Sequence, residues 1–457
     1  MKCYTCRFVA ADEESSGYLL SGKASLPGCV HATCVAMVIA AQSVGTSYIY
    51  GAPQNSDVYG AMSALRSLGI KINDTGESIT IEGVGVGGFT AAKNEVCVGN
   101  STYVSCVILG TLVTHSFTSF IFNKENECNE VRGPSLLEAD INELIEIFAP
   151  VGAKFLHNNL FPLVVTGVED IAPLAERRVI SSHFVKSSLL LACMNIAGQS
   201  RINAHGALPA YTEWLLKHYG ADVQVSLQCE VDEIAICGQK ELFATDVRIF
   251  PSRTHVLAVV TAALLSRGAS VVIPRVLVDK GMRVVLDILV RMGGDISVSE
   301  SLDGLHRLEV AASEMFGVEI TSVELRFVLE ALPVLCIICA YSEGITRIFG
   351  ASELPAGLRK SLEIVVRGLT QCGIAATMSS DLLEIRGCGG EMLGGIEVDA
   401  SNDERATDAF LLLCLISSAP IYIQGLDYKA AVCFAQILNS LNKGRGNFVL
   451  ESIRGSF

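Results

Sequence analysis

The chain has 457 residues, half of them apolar and 18% charged, with a net charge of −14 and a mean hydropathy of +0.44. Its length calls for two or three domains with large cores, and an acidic balance without a clustered basic stripe excludes a general nucleic-acid surface. No apolar run reaches the roughly 18–20 residues free of charge and helix breakers that a spanning helix needs, so no membrane partner is expected and the apolar runs read as helices buried in a core.

The opening residues MKCYTCRFVAADEESS lack a basic start, an apolar stretch and a cleavage site in sequence, so no secretory signal is expected and a cytoplasmic location is. Cys3 and Cys6 in this stretch, read as a loose terminus, have half-zinc spacing, as do Cys336 and Cys339. A structural zinc needs four ligands, and neither pair has a matching second pair, so no metal is expected. Most other cysteines, such as Cys106, Cys193 and Cys414, sit singly in apolar runs, where a free thiol behaves as a small hydrophobe in a reducing compartment.

At residues 36–51 a helix-sized apolar run, a small-residue break and a short β-rich run follow one another in AMVIAAQSVGTSYIYG. The same succession returns at 107–122, 188–203, 259–274, 334–349 and 410–425. After the first five copies comes an amphipathic unit with Gly near its end and another strand-like run, at 62–72, 144–155, 214–225, 285–298 and 364–377. A spacing of about 60–80 residues exceeds solenoid periods and predicts a larger β-α-β-α-β unit. Six such units, each burying its apolar face against its copies, predict a symmetric α/β protein in two lobes of three.

Four segments carry a resemblance. Residues 19–49, LLSGKASLPGCVHATCVAMVIAAQSVGTSYI, resemble an opening in which P-G-D-K-S-x-S-H-R follows a strand and precedes an Ala/Leu-rich helix. SSHFVKSSLLLA (181–192) is similar to S-A-Q-V-K-S-A-L-L-L-A, and NDERATDAF (402–410) to G-D-H-R-x-A-M-A. The stretch 329–354, LEALPVLCIICAYSEGITRIFGASEL, resembles I-D-E-x-P-x-L-A-x-x-A-x-x-A-E-G-x-T-x-I-x-G-A-x-E-L. In this order, over nearly the whole chain, they resemble the 5-enolpyruvylshikimate-3-phosphate synthases. The resemblance implies a two-lobed inside-out α/β barrel with six βαβαββ repeats, three per lobe: a first lobe of residues 27–249 and a second of 1–26 plus 250–457. It also implies a cofactor-free monomer that transfers enolpyruvyl from phosphoenolpyruvate to shikimate 3-phosphate with release of phosphate, in aromatic amino-acid biosynthesis.

That reaction needs a base, an acid and a cage of cations for two phosphates and two carboxylates. Residue by residue, Glu330 falls on the family's substrate-deprotonating Asp, its carboxylate moved by roughly 1.5 Å by one extra methylene. Ser181 and Ser182 match the serines that hold the sugar phosphate, His183 falls near a substrate-binding Gln, and Asp403 and Arg405 match the Asp and Arg of D-H-R. The family's cations fall on Val30, Val35, Cys106 and Gly357, and its R-P-M step on Ala139-Asp140-Ile141. Arg359, Lys360 and Lys429 are the cations near enough in sequence to replace them. Lys186 also matches; on the first turns of an apolar helix its ammonium is expected to reach water. Each survivor has a plain reading: Glu330 a partner of a helix dipole, Asp403 an N-cap, Ser181 and Ser182 a cap and nest. His115, His157 and His205, without ligand or triad spacing, are expected on the surface or in loops. Two functions stay open, a transferase of this kind with a depleted site or a non-catalytic descendant kept for binding or assembly.

Overall fold

The computed structural model describes residues 3–10, 19–122, 136–157, 161–228, 230–390, 392–401, 403–426, 428–443 and 446–453. The chain forms two compact units: Pro27–Phe250, called here the first unit, and Met1–Leu26 with Pro251–Phe457, the second.

Each unit holds three four-stranded sheets among the described residues. One repeat of the second unit shows the pattern. Strand Glu319–Ile320 pairs in parallel with Ile345–Phe349, and helix Leu332–Tyr341 connects them. Helix Ala356–Gln371 then leads to Ala375–Met378, and Leu382–Arg386 returns antiparallel between the two longer strands. The repeats in chain order therefore read βαβαββ. Two sheets take their short parallel edge from beyond the repeat. Val247–Arg248 pairs with Val44–Tyr50 in the first unit, and Ser21–Lys23 with Ser270–Val276 in the second.

The last repeat is completed from the opposite end of the chain. Cys3–Ala10 lies between Ile421–Gln424 and Gly446–Ile453, antiparallel to both. The opening residues read as a loose terminus thus include a central strand, and a central strand satisfies its backbone groups on both edges. The amphipathic partner unseen after 410–425 is the helix Tyr428–Leu441.

The first helix of a repeat is buried on every side. In Val30–Ala41 all residues from Ala32 to Ala41 are buried, and so are Tyr103–Leu112 in Thr102–Leu112 and Val185–Cys193 in His183–Cys193. Some of their few hydroxyls bond to the carbonyl one turn back, Thr33 to Cys29 at 2.8 Å and Thr111 to Val107 at 2.9 Å, while Ser188 donates across to Cys106 O at 2.6 Å. Gly110 lets two such helices meet: a Cβ on it would stand 2.1 Å from Ser188 Oγ. The second helix of a repeat is two-faced. In Ala356–Gln371 the buried positions are Leu358, Ser361, Leu362, Ile364, Val365, Gly368 and Leu369, the spacing of one broad helical face.

Candidate functional site

In the first unit, side chains at the starts of four helices converge. His31 is the second residue of Val30–Ala41, Tyr103 the second of Thr102–Leu112, His183 and Phe184 open His183–Cys193, and Tyr211 opens Tyr211–His218. Ring centroids are 4.3 Å apart for His31 and Tyr103, 5.3 Å for His31 and His183, and 4.4 Å for His183 and Phe184. Tyr103 lies 4.9 Å from Phe184 and 6.5 Å from Tyr211, all within the range of attractive ring pairs. Tyr103 and Tyr211 are buried, whereas His31, His183 and Phe184 are half-buried. Burial pulls His31 down to about 4 against the opposing charge of Asp57, and drives the Tyr103 phenol well above its ordinary value. At neutral pH both are uncharged.

Charge around the rings is cancelled or negative. Lys186 does not reach water as expected: it is 2% exposed, and its Nζ donates to Glu213 Oε1 at 2.7 Å and to Pro209 O at 2.6 Å. The helix Tyr211–His218 carries a carboxylate into the core, and a buried ammonium persists there only when paired. Ser182 caps the helix His183–Cys193, its Oγ accepting from Phe184 N at 3.2 Å; Ser181 beside it is exposed. Asp140 is half-buried on the helix Leu136–Phe148, which packs against His183–Cys193, and burial holds its carboxyl above the usual carboxylate range. The same Asp140 charge acts on Cys106, whose thiol burial already pushes well up. Val35 and Cys106 are fully buried, and Val30 is half-buried.

The second unit keeps charge at its helix starts. Ser252 caps Arg253–Leu265, and Arg253 Nη2 donates to both Asp279 oxygens, at 2.7 and 2.9 Å. Glu330 sits in the short turn Leu329–Ala331, 43% exposed, with its Oε2 3.7 Å from Arg253 Nη1. Asp403 caps Glu404–Ile416: its Oδ1 accepts from Ala406 N at 2.9 Å while Oδ2 accepts from Ser361 Oγ at 2.7 Å. Arg405 and Lys360 are exposed. Arg359 donates to the Ala351 carbonyl, and the side chain of Lys429 lies outside the described residues. Gly357 is exposed near the start of Ala356–Gln371.

The six candidate residues thus fall in two groups, Ser181, Ser182 and His183 in the first unit and Glu330, Asp403 and Arg405 in the second. His115 corrects an expectation: it is 4% exposed, stacked on Phe89 at 5.4 Å, with Nδ1 2.9 Å from Thr111 O. Its side chain finds both a ring and a carbonyl inside the core, which isolated spacing does not disclose. His205 is half-buried, its Nδ1 accepting from Ala207 N at 3.3 Å, and the side chain of His157 lies outside the described residues. Sequence reasoning missed Arg253, although the repeat contained the signal, since Arg253 after Ser252 opens its helix as Val30 after Cys29 opens the corresponding one. The ring cluster gave none, because its members are spread from residue 31 to residue 211. Away from these helix starts, the second unit has a cavity of about 450 Å³ lined by Leu264, Arg267, Glu314, Phe316 and Tyr341. No group of three or more His, Cys, Asp or Glu among the described residues could hold a metal ion. Nor is any helix among them long and apolar enough to cross a membrane.

The family described as EPSP synthase (3-phosphoshikimate 1-carboxyvinyltransferase) matches residues 16–441. A 3-phosphoshikimate 1-carboxyvinyltransferase of Paramagnetospirillum magneticum is 28% identical over 434 residues, 92% of this chain and 95% of the relative. One of Rhodospirillum rubrum is 28% identical over 416 residues, 88% and 90% of the two chains. Among solved structures, an EPSP synthase from Acinetobacter baumannii superposes with a TM-score of 0.85 at 22% identity, covering 99% of this chain and all of its own. The enolpyruvyl transferase NikO from Streptomyces tendae superposes with a TM-score of 0.68 at 17% identity, covering 99% of both. The fold is that of the enolpyruvyl transferases.

Proposed function

The chain belongs to the EPSP synthase family, and from that premise we propose that it no longer transfers enolpyruvyl from phosphoenolpyruvate to shikimate 3-phosphate. In this reading it is a descendant whose first unit binds a ligand of different charge. The observation that carries the reading is the ring cluster around Ser182, in place of a cage of cations. Positions 35 and 106, where the resemblance puts cations, hold buried Val35 and Cys106, and the charge acting on Cys106 is the carboxylate of Asp140. Losing one preorganised donor or cation costs roughly 10²–10³ in rate. Such losses are not additive, yet a dianionic phosphate without counter-charge has nothing to offset its desolvation. Lys186 does not supply that charge, being spent on Glu213.

The test is phosphate release by the full chain given shikimate 3-phosphate and phosphoenolpyruvate. The expected result is no release above a protein-free control, with Arg405→Ala indistinguishable. Turnover that Arg405→Ala abolishes would overturn the reading. A second reading, enolpyruvyl transfer to another acceptor, is favoured by the second unit alone, where Arg253 faces Glu330 and Arg405 stays open to solvent. It requires that phosphoenolpyruvate bind by itself and that Arg405→Ala weaken that binding, which calorimetry measures directly.

A further inference from the structure

Building on the reading that the first unit has given up its sugar phosphate, we propose that its converging helix starts bind an uncharged, hydroxyl-bearing planar ring. His183 and Phe184 supply the stacking faces, and Asp140 turns phosphorylated ligands away. The ring geometry comes first. His183 and Phe184 stand edge to face at 4.4 Å and 75°, and with His31 they remain half-exposed over the buried Tyr103 and Tyr211. A planar ligand can extend this array in the offset or edge-on arrangements that aromatic pairs favour. The imidazole of His31, uncharged at neutral pH, carries one donor and one acceptor, the complement of a hydroxyl group.

Charge selects among planar ligands. The start of a helix carries positive character and unsatisfied N–H groups, and four helices begin at this place, which opposes a cation. An anion would normally profit from the same helix starts. Here the protein supplies its own carboxylate, since Asp140 is half-buried on the helix Leu136–Phe148, which packs against His183–Cys193. Asp57 acts on His31 in the same sense, and the ammonium of Lys186 is neutralised by Glu213 at 2.7 Å. Both signs of charge are disfavoured, and the neutral ring remains.

Three matched probes test this on the intact chain at neutral pH: phenol, phenyl phosphate and benzylamine, followed by ligand-observed NMR titration. Phenol is expected to bind at least about tenfold more tightly than either charged probe, a difference of about 1.4 kcal/mol. His183→Ala should abolish the phenol signal, and Asp140→Asn should raise phenyl phosphate affinity about tenfold while leaving phenol within about twofold. Circular dichroism checks that each variant is folded; should His183→Ala unfold the chain, Phe184→Leu takes its place with the same expected loss. Phenyl phosphate binding as well as phenol, no phenol binding, or phenol binding indifferent to both ring variants would overturn the proposal. These failures are separable from failure of the functional reading. Turnover of shikimate 3-phosphate overturns that reading, whereas an inert chain that ignores phenol overturns only the ligand class.

Discussion

The two units are built from the same repeat and differ in what stands where their buried helices begin. In the first, the positions are taken by His31, Tyr103, His183 and Phe184, and the nearby ammonium of Lys186 is closed off by Glu213. In the second they hold Arg253, Glu330, Asp403 and Arg405, with Arg405 exposed. The difference teaches that this fold specifies its cores and its helix starts separately. Helices such as Val30–Ala41 and Leu332–Tyr341 are apolar on all sides in both units, so the lobe assembles regardless of what caps them. Polarity at the helix starts is then free to follow the ligand.

The largest effect should come from breaking the buried pair of the first unit. Glu213→Ala leaves the Lys186 ammonium 3% exposed without its carboxylate, which costs about 3–5 kcal/mol. The double variant Lys186→Met, Glu213→Leu should recover most of that, because a buried pair replaced as a whole by apolar groups is close to neutral. Trp214, the only tryptophan in the chain, lies in the same helix as Glu213, so urea unfolding followed by its fluorescence reports on this unit. If the double variant is no more stable than the single one, the pair has a specific role beyond its charges. In the second unit Arg253→Ala should cost about 1.5–3 kcal/mol, the worth of charged hydrogen bonds that are 12% exposed on the arginine side. A cost equal to that of Glu213→Ala would erase the contrast between the units.

Acid gives the next effect. His31 is held at about 4 in the folded chain against 6.5 in the unfolded one. As pH falls below 6.5 the unfolded chain takes up a proton that the folded chain refuses until about 4, so stability drops through that window and is unaffected above it. The loss by pH 4 is up to about 3 kcal/mol, and His31→Phe should flatten the slope of fluorescence-detected stability against pH. His115 in the first unit and His255 in the second are lowered by burial in the same sense, so some slope survives in the variant. An unchanged slope would mean that the ring cluster opens to water.

Much of the architecture was legible because an all-apolar helix followed by a strand is a pattern that sequence carries locally. What is assembled from distant residues was not. Cys3–Ala10 pairs with strands more than 400 positions away, and nothing in MKCYTCRFVA marks it as central. Lys186 matched a motif, but the partner that decides its chemistry is 27 residues on, in another helix. Asp140 was placed in the register of a lost motif, yet its nearness to the start of His183–Cys193 depends on packing between that helix and Leu136–Phe148. Ser182 and Asp403, by contrast, were read as caps and are caps, because an N-cap is a local device.

The smallest expected effect makes the sharpest distinction between a structural and a ligand-binding carboxylate in the second unit. Asp403 Oδ1 holds Ala406 N and Oδ2 holds Ser361 Oγ. Asp403→Ala removes both and should cost about 1–2 kcal/mol, the usual worth of an N-cap with one further hydrogen bond. Asp403→Asn keeps an oxygen for the cap, so it should cost only a few tenths of a kcal/mol, Asn and Asp being nearly equal in that position. Thermal unfolding by circular dichroism, with phosphoenolpyruvate binding measured on the same samples, separates the two roles. If Asn restores stability and leaves binding untouched, Asp403 is a cap and the basic character of this unit rests on Arg253 and Arg405. If Asn restores stability but changes binding, the charge of Asp403 is part of the ligand site, and the second unit has kept an electrostatic function that the first has lost.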